Sequence, residues 1–275
     1  MEDQKMETCV VTKSDIMDAL RQLGLQAGDL CIVHSSMKSF GHVEGGAQTV
    51  IDAFEEVLGK EGTLAMPTLC QVDFLNSYKT WYMDKPSDVG YLTEYFRKQM
   101  YVYRSDEATH SVAARGKYAY ELTKEHCGYG PRPLCLFGEW AMSESSPWEK
   151  LYRMNGKIVF IGVSMRKNTI KHTVELRLVE HYSDMVKDPA KAQELKDKLY
   201  AFGRPGIWPG FDAEEMVPVL REKGQLQEAT CGNAKLLCVN AKECCDTYFE
   251  EFTTRPEKWF KEDFLRWRQE CLDNA

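Results

Sequence analysis

Three groups of side chains in this sequence have a composition suited to chemistry. The first is Thr169-x-x-His172-x-x-Glu175. On a helix, spacings of three put these side chains on roughly one face. A histidine with a carboxylate beside it to orient it or raise its basicity is the composition of a general base. A zinc site would need His181 as well, but nine residues after His172 it points to the opposite side of such a helix, and zinc needs converging ligands. The other reading is a surface histidine flanked by Lys171. The second group, His34-Ser35-Ser36, closes the short apolar run Leu30–Val33. At the carboxyl end of a strand in an open parallel sheet, loops expose backbone N–H groups and helix N-termini to a ligand. A polar strand-end loop with no ligand is the alternative. The third is Arg104-Ser105 with Thr109-His110-Ser111, again after a short strand, where a plain turn explains the residues equally well.

Several chemistries lack their signal. No P-loop, G-x-G-x-x-G or G-x-S-x-G occurs, which removes the usual signs of NTP hydrolysis, Rossmann dinucleotide binding and α/β-hydrolase catalysis. With 35 basic and 42 acidic side chains the net charge is 35 − 42 = −7, and no basic run exceeds two residues. That is no footprint for a nucleic-acid backbone. Acidity suits either a cationic substrate or simple solubility. The ten cysteines form no C-x-x-C, and Cys244-Cys245 is a strained pairing as a bridge. No apolar run approaches the ~18 residues of a membrane span, and the acidic start MEDQKMETCVV is no signal peptide. Free thiols in a cytoplasmic protein follow as the expectation. The oligomeric state is left open.

The elements that must position these groups read as α/β. Val11–Leu23 has helical apolar spacing, with Thr12 or Ser14 as N-cap. Leu30–Val33, then helix Gln48–Leu58, then strand Thr63–Met66 make a βαβ unit, hence a parallel pair. Helices are expected at Asp88–Gln99 and Lys117–His126, a short strand at Tyr101–Tyr103, and a Gly/Pro loop around Tyr129–Pro133. Ser146-Pro147 opens a helix to Met154, and strand Lys157–Val163 precedes helix Asn168–His181. Beyond Asp184 come helices Asp188–Phe202, Ala213–Lys223, Ala241–Phe252 and Lys261–Leu272, with a strand at Lys235–Val239 and a loop at Arg204–Phe211. Asp212, Glu214 and Glu215 read as a solvated helix N-terminus. The expected architecture is one domain over residues 1–275: an α/β core over 11–184, whose mostly parallel sheet is flanked by helices, and a helical or α+β C-terminal elaboration over 185–275.

Together the pieces resemble a known family. Ile32-Val33-His34-Ser35-Ser36-Met37-Lys38-Ser39-Phe40-Gly41, then Gly45-Gly46-Ala47-Gln48-Thr49-Val50, Gly62-Thr63 and Met66-Pro67-Thr68, resemble the N-terminal signature of the aminoglycoside 3-N-acetyltransferases. Arg104-Ser105 with His110-Ser111-Val112-Ala113-Ala114 and Gly116 is similar to the family's central motif. Phe137-Gly138-Glu139 with Ser145-Ser146-Pro147-Trp148 resembles the next loop, and Asn168-Thr169 with His172 and Glu175 the catalytic helix. The likeness runs from about Thr12 to Phe260. It implies a fold distinct from the GNAT acetyltransferases and transfer of acetyl from acetyl-CoA, with no metal, to the 3-amino group of a 2-deoxystreptamine aminoglycoside.

By the same resemblance His172 is the general base, Glu175 its partner, and Thr169 belongs to the catalytic group. His34, Ser35, Ser36 and Met37 line the pantetheine and thioester end of the cosubstrate, with backbone N–H groups at Ser35-Ser36 as oxyanion donors. Arg104, Ser105, Ser111, Ser145 and Ser146 lie along the same channel. Glu175, Glu180 and Asp184 are candidate contacts for a cationic acceptor. No cysteine sits in either catalytic motif, which favours direct transfer in a ternary complex over a covalent acyl-enzyme. Two departures stand out. Glu107-Ala108 replaces a His-Pro common in the family, and Met165-Arg166-Lys167 lies where resistance enzymes often carry an Asp. The alternatives are an acetyltransferase of another amine and a non-catalytic CoA- or nucleotide-binding protein on the same scaffold.

Overall fold

The computed structural model describes residues 10–72, 74–126, 139–199 and 207–275. The chain begins with β1 (Val10–Val11) and α1 (Lys13–Gln22), whose Thr12 and Asp15 form a reciprocal capping box. Next come β2 (Leu30–Ser35), β3 (His42–Val43), α2 (Gly46–Leu58) and β4 (Thr63–Pro67). They are followed by α3 (Tyr91–Arg97), β5 (Tyr103–Arg104), β6 (Val112–Gly116), α4 (Ala119–Thr123) and α5 (Pro147–Arg153). After β7 (Lys157–Ile161) come α6 (Lys171–Ser183), α7 (Pro189–Asp197) and α8 (Val217–Glu222). The chain ends with β8 (Leu226–Cys231), β9 (Ala234–Asn240), α9 (Ala241–Thr254), α10 (Pro256–Trp259) and α11 (Glu262–Asp273). The expected loop at Tyr129–Pro133 lies outside the described residues.

The main sheet has the order β5-β6-β4-β2-β7-β9-β8. The predicted βαβ unit is present, with β2 parallel to β4 and also to β7. The fold is mixed α/β, but the remaining pairings, β4–β6, β5–β6, β7–β9 and β8–β9, are antiparallel. This corrects the expectation of a mostly parallel sheet. The parallel part stops at β4 and β7 because β6 returns antiparallel beside β4, and the C-terminal hairpin β8–β9 adds itself to β7.

The central strands are covered on both faces. Leu30, Ile32, Ile158 and Phe160 face a core built with α5, α6, α9 and α11. Cys31, Val33, Val159 and Ile161 face the core of α1, α2 and α3. This period-2 division inside near-continuous apolar runs is what buried parallel strands require.

The directions of the strands set one edge of the sheet apart. β2, β4 and β7 end there, and antiparallel β6 begins there, since Val112 pairs with Pro67 at the end of β4. The residues just before β6, including His110, are therefore delivered to the same edge as His34. Ligands of open α/β sheets bind outside such carboxyl ends. Among the described residues no helix is long and apolar enough to cross a membrane.

Candidate active site

A cleft of about 580 Å³ opens at this edge, with His34, Ser35, His110, Thr169 and His172 on its walls. His34 is the penultimate residue of β2 and pairs with Phe160 across the ladder. Its ring stacks on Phe160 at 5.2 Å and 11°, and on Trp148 at 6.3 Å and 22°. Burial, followed by the charge of Lys167, pushes its pKa down to about 3, so the ring is neutral at ordinary pH. Its Nε2 has no hydrogen-bond partner. Trp148 donates through Nε1 to the His110 carbonyl at 3.0 Å and so ties the two histidine segments together. The loop after β2 packs close to the end of β7: a Cβ on Gly162, whose φ is +59°, would collide with Ser39.

His110 is held by a buried carboxylate. Glu107 accepts the backbone N–H of Thr109 at 2.8 Å, the Thr109 hydroxyl and the His110 backbone N–H. The departure from His-Pro at Glu107-Ala108 therefore has a structural role, since it folds the turn that carries His110. The His110 ring stands edge-on to His172, with centroids 5.8 Å apart and planes at 84°.

His172 is the second residue of α6. It donates from Nδ1 to Glu175 Oε2 at 2.8 Å. The same oxygen accepts Trp208 Nε1 at 2.8 Å, and Lys171 Nζ lies 3.8 Å from Oε1. Glu175 is 1% exposed, and its Oε1 has no hydrogen-bond partner. A carboxylate on Nδ1 fixes the tautomer and leaves Nε2 as the nitrogen that exchanges protons. This is the arrangement of a positioned base. Trp208, from the C-terminal part of the chain, carries no motif that could have announced it. Asn168 is also buried beside the cleft, with Nδ2 directed at Tyr248 and Cys244 and Oδ1 lacking a partner.

The helix is shorter at its start than expected. It begins at Lys171, so Thr169 sits in the preceding turn rather than on one helix face with His172 and Glu175. Thr169 still lines the cleft, its hydroxyl 3.5 Å from the Lys167 carbonyl. His181 packs on Tyr182 and Phe249, and among the described residues no group of three His, Cys, Asp or Glu could hold a metal ion.

Other expected site residues are engaged elsewhere. Arg104 uses all its donors on the protein: Thr68 and Ser111 side chains, the Thr68, Met83 and Lys85 carbonyls, and Cys70. It clamps a loop instead of facing the cleft. Ser111 bonds to Thr68, and Ser105 accepts the Val112 N–H while donating to His126 Nδ1 at 2.8 Å. Ser146 is the N-cap of α5, accepting the Glu149 N–H at 3.1 Å, and Ser145 contacts Ser143. Ser36 donates its backbone N–H to the Ile161 carbonyl at 2.9 Å, so that group is already taken and is no oxyanion donor. Met37 packs against the α1–α2 core.

Glu180 and Asp184 are exposed at the far end of α6. Asp184 lies twelve residues beyond His172, about 18 Å along the helix. Neither reaches the cleft. Asp212, Glu214 and Glu215 do stand at a helix N-terminus, with Asp212 as its N-cap and Glu215 exposed, but Asp212 also pairs with Arg166 at 2.8 Å and Glu214 accepts the Met165 N–H at 2.8 Å. Phe137 and Gly138 lie outside the described residues.

Comparison with known proteins bears on the family and the fold. The sequence pattern of the aminoglycoside 3-N-acetyltransferases matches residues 32–253. The chain is 28% identical over 273 residues to the SPbeta prophage-derived aminoglycoside N(3')-acetyltransferase-like protein YokD of Bacillus subtilis, covering 90% of this chain and 92% of that protein. It is 32% identical over 183 residues to aminoglycoside N(3)-acetyltransferase III of Salmonella, covering 60% of each. Among solved structures, the crystal structure of YokD from B. subtilis superposes with a TM-score of 0.69 at 23% identity, covering 91% of this chain and 96% of that one. The binary complex of AAC-IIIb with CoASH gives 0.65 at 20%, covering 90% and 98%. This chain belongs to the aminoglycoside 3-N-acetyltransferase family.

Proposed function

We propose that the protein is an acetyl-CoA-dependent N-acetyltransferase working by direct transfer, with His172 as the general base. The observation that carries this reading is the His172–Glu175 hydrogen bond, its carboxylate buried and its imidazole on a cleft at the ends of parallel strands. His172 takes the proton of the attacking amine as the C–N bond forms and the C–S bond of the thioester breaks; that proton then neutralises the departing thiolate. Glu175 steadies the imidazolium formed on the way. Thr169, at the mouth of the helix, is the hydroxyl donor we assign to the developing oxyanion. The cleft fits the pantetheine arm and thioester, since two buried polar atoms beside it, His34 Nε2 and Asn168 Oδ1, have no partner in the protein. The relative solved with CoASH supports the same cosubstrate here.

The family and the relative solved with gentamicin support the 3-amino group of a 2-deoxystreptamine ring as the acceptor. A second reading, another amine, is favoured by the basic residues Arg166, Lys167 and Lys171 on the cleft wall. In either case a cytoplasmic enzyme is the expectation, in keeping with buried free thiols such as Cys31, Cys238 and Cys244. Thiol release from acetyl-CoA with a panel of 2-deoxystreptamine drugs tests the reaction. His172→Ala is expected to lower turnover by ~10²–10⁴-fold. Unchanged turnover in that variant refutes the assignment of the base. Intact CoA binding without turnover on any drug removes aminoglycosides as acceptors.

A further inference from the structure

Acetyl transfer puts negative charge on the thioester oxygen, and donors fixed in advance at that oxygen lower the barrier. Among the described residues, several donors at the ends of the strands are already committed. The Ser36 N–H goes to the Ile161 carbonyl, and the Gln71 and Val72 N–H groups go to Asp88. Arg104 is spent on protein carbonyls, and Lys171 donates to the Phe211 carbonyl at 2.7 Å. The Thr169 hydroxyl, assigned above, needs a partner.

Asn168, the residue before Thr169, is 1% exposed and lines the cleft. Its backbone is pinned on both sides, the N–H to the Met165 carbonyl at 2.9 Å and the carbonyl to the Lys171 N–H at 3.3 Å. Its amide is poorly used. Nδ2 reaches the Tyr248 hydroxyl oxygen at 3.4 Å and Cys244 Sγ at 3.7 Å, both long, and Oδ1 has no partner among the described residues. Tyr248 is itself fully buried in α9, and in this arrangement its O–H is left with the Cys244 sulfur, a weak acceptor. A half turn of the carboxamide mends both defects. Oδ1 then accepts the Tyr248 O–H, and Nδ2, with its two protons, takes the place that Oδ1 held, on the side away from α9. The two ends of an amide are almost equal in size, so the turn costs little packing.

We propose that Asn168, with its amide turned in this way, is a second oxyanion donor beside Thr169, and that Tyr248 is the positioning residue that holds it so. This rests on the acetyl-transfer reading above and adds a catalytic residue to it. As the amine lone pair forms the C–N bond, the carbonyl π pair moves onto oxygen, and Asn168 Nδ2 donates to that oxygen. When the pair returns, the C–S bond breaks, and the proton that His172 took from the amine goes to the thiolate. Asn168 stays neutral throughout and exchanges no proton, so its contribution is electrostatic.

The test is difference infrared spectroscopy of acetyl-CoA, carbon-13 labelled at the thioester carbonyl and bound to the full chain without an acceptor. The carbonyl stretch is expected at lower wavenumber in the wild type than in Asn168→Ala or Asn168→Asp, with Tyr248→Phe in between. Asn168→Asp keeps the shape and the acceptor for Tyr248 but loses the N–H donors, and Tyr248→Phe reads the orientation even if Asn168→Ala fails to fold. Calorimetry should find CoA affinity within about threefold in all the folded variants, while kcat for thiol release falls roughly 10²–10³-fold in Asn168→Asp. A stretch at the same position in the wild type and all three variants overturns the proposal. So does a loss of CoA affinity that matches the loss of turnover, which would make Asn168 a cosubstrate contact only. A stretch that moves in His34→Gln but in no Asn168 variant assigns the donor to His34 instead. Acetyl-CoA that fails to bind the wild type refutes acetyl transfer itself, whereas binding with an unmoved stretch leaves that reading standing and removes Asn168 alone.

Discussion

His34 makes the fold sensitive to acid, by an amount that follows from its surroundings. Its ring lies between Phe160 and Trp148, and its pKa is about 3 in the fold against about 6.5 in the unfolded chain. Between those values the unfolded chain binds a proton that the folded chain does not, so stability rises with pH across this window and is lost as pH falls. At pH 5 the unfolded state gains a factor of about 10^1.5, or about 2 kcal/mol at ~1.4 kcal/mol per unit. Any folded value below about 4 gives nearly the same loss, because at pH 5 the folded ring is then still almost wholly neutral. Against a total stability of about 5–15 kcal/mol this is a measurable fraction.

The assay is urea unfolding at pH 7 and pH 5 for the wild type and for His34→Gln and His34→Phe, the second keeping an aromatic ring in the stack. Carboxylates common to all three cancel in the comparison. The wild type is expected to lose about 2 kcal/mol more than either variant between the two pH values. Equal losses in all three proteins would refute the argument that burial holds the ring neutral.

Further outcomes follow from the same geometry. Trp208→Phe removes a donor from a buried carboxylate oxygen that also orients His172; at about 1.5 kcal/mol for a bond to a charged group, kcat should fall roughly tenfold with the KM for acetyl-CoA unchanged. A matching rise in that KM would show instead a shift of the whole cleft. Arg104→Met should lower the urea midpoint by an amount worth about 2–4 kcal/mol, since it leaves several carbonyls unpaired, and should leave CoA affinity nearly intact in the folded fraction. A CoA affinity loss at full stability would restore Arg104 to the cofactor channel. Glu180→Gln with Asp184→Asn should leave turnover on any acceptor within about twofold, both groups being exposed at the far end of α6.

What the sequence made legible here was local, and what it hid was long-range. His172, the proposed base, and Glu175 are three residues apart, a separation one helical turn satisfies by itself, so the two could be paired without knowing the fold. The same rule misplaced Thr169. Buried Asn168 precedes an irregular turn, and the helix starts only at Lys171. Strands with continuous apolar runs, Leu30–Ser35 and Lys157–Ile161, announced themselves. Strand β6 did not, because its Val-Ala-Ala-Arg-Gly has little intrinsic strand preference and is held in place by pairing with β4 and β5. Strand β8, an edge with mostly polar outward positions, was equally silent.

Of the two, β6 shaped the cleft. Because β6 runs antiparallel to β4, it presents its first residue at the edge where β2 and β7 end, and the turn folded by Glu107 brings His110 against His172. Trp208 reaches Glu175 across thirty-three residues of sequence, a partnership that no spacing rule encodes. Arg104 shows the converse. By resemblance Arg104 belonged to the cosubstrate channel, but in this fold its partners are protein carbonyls and hydroxyls. The acidic balance resolves in the same way. Carboxylates at Asp88, Asp212 and Glu214 hold the loops around the cleft through backbone N–H groups and, at Asp212, an ion pair, so the net charge of −7 does not by itself give the charge that a ligand meets in the cleft. Net charge is a property of the whole surface, whereas a ligand meets only the charges that line the cleft.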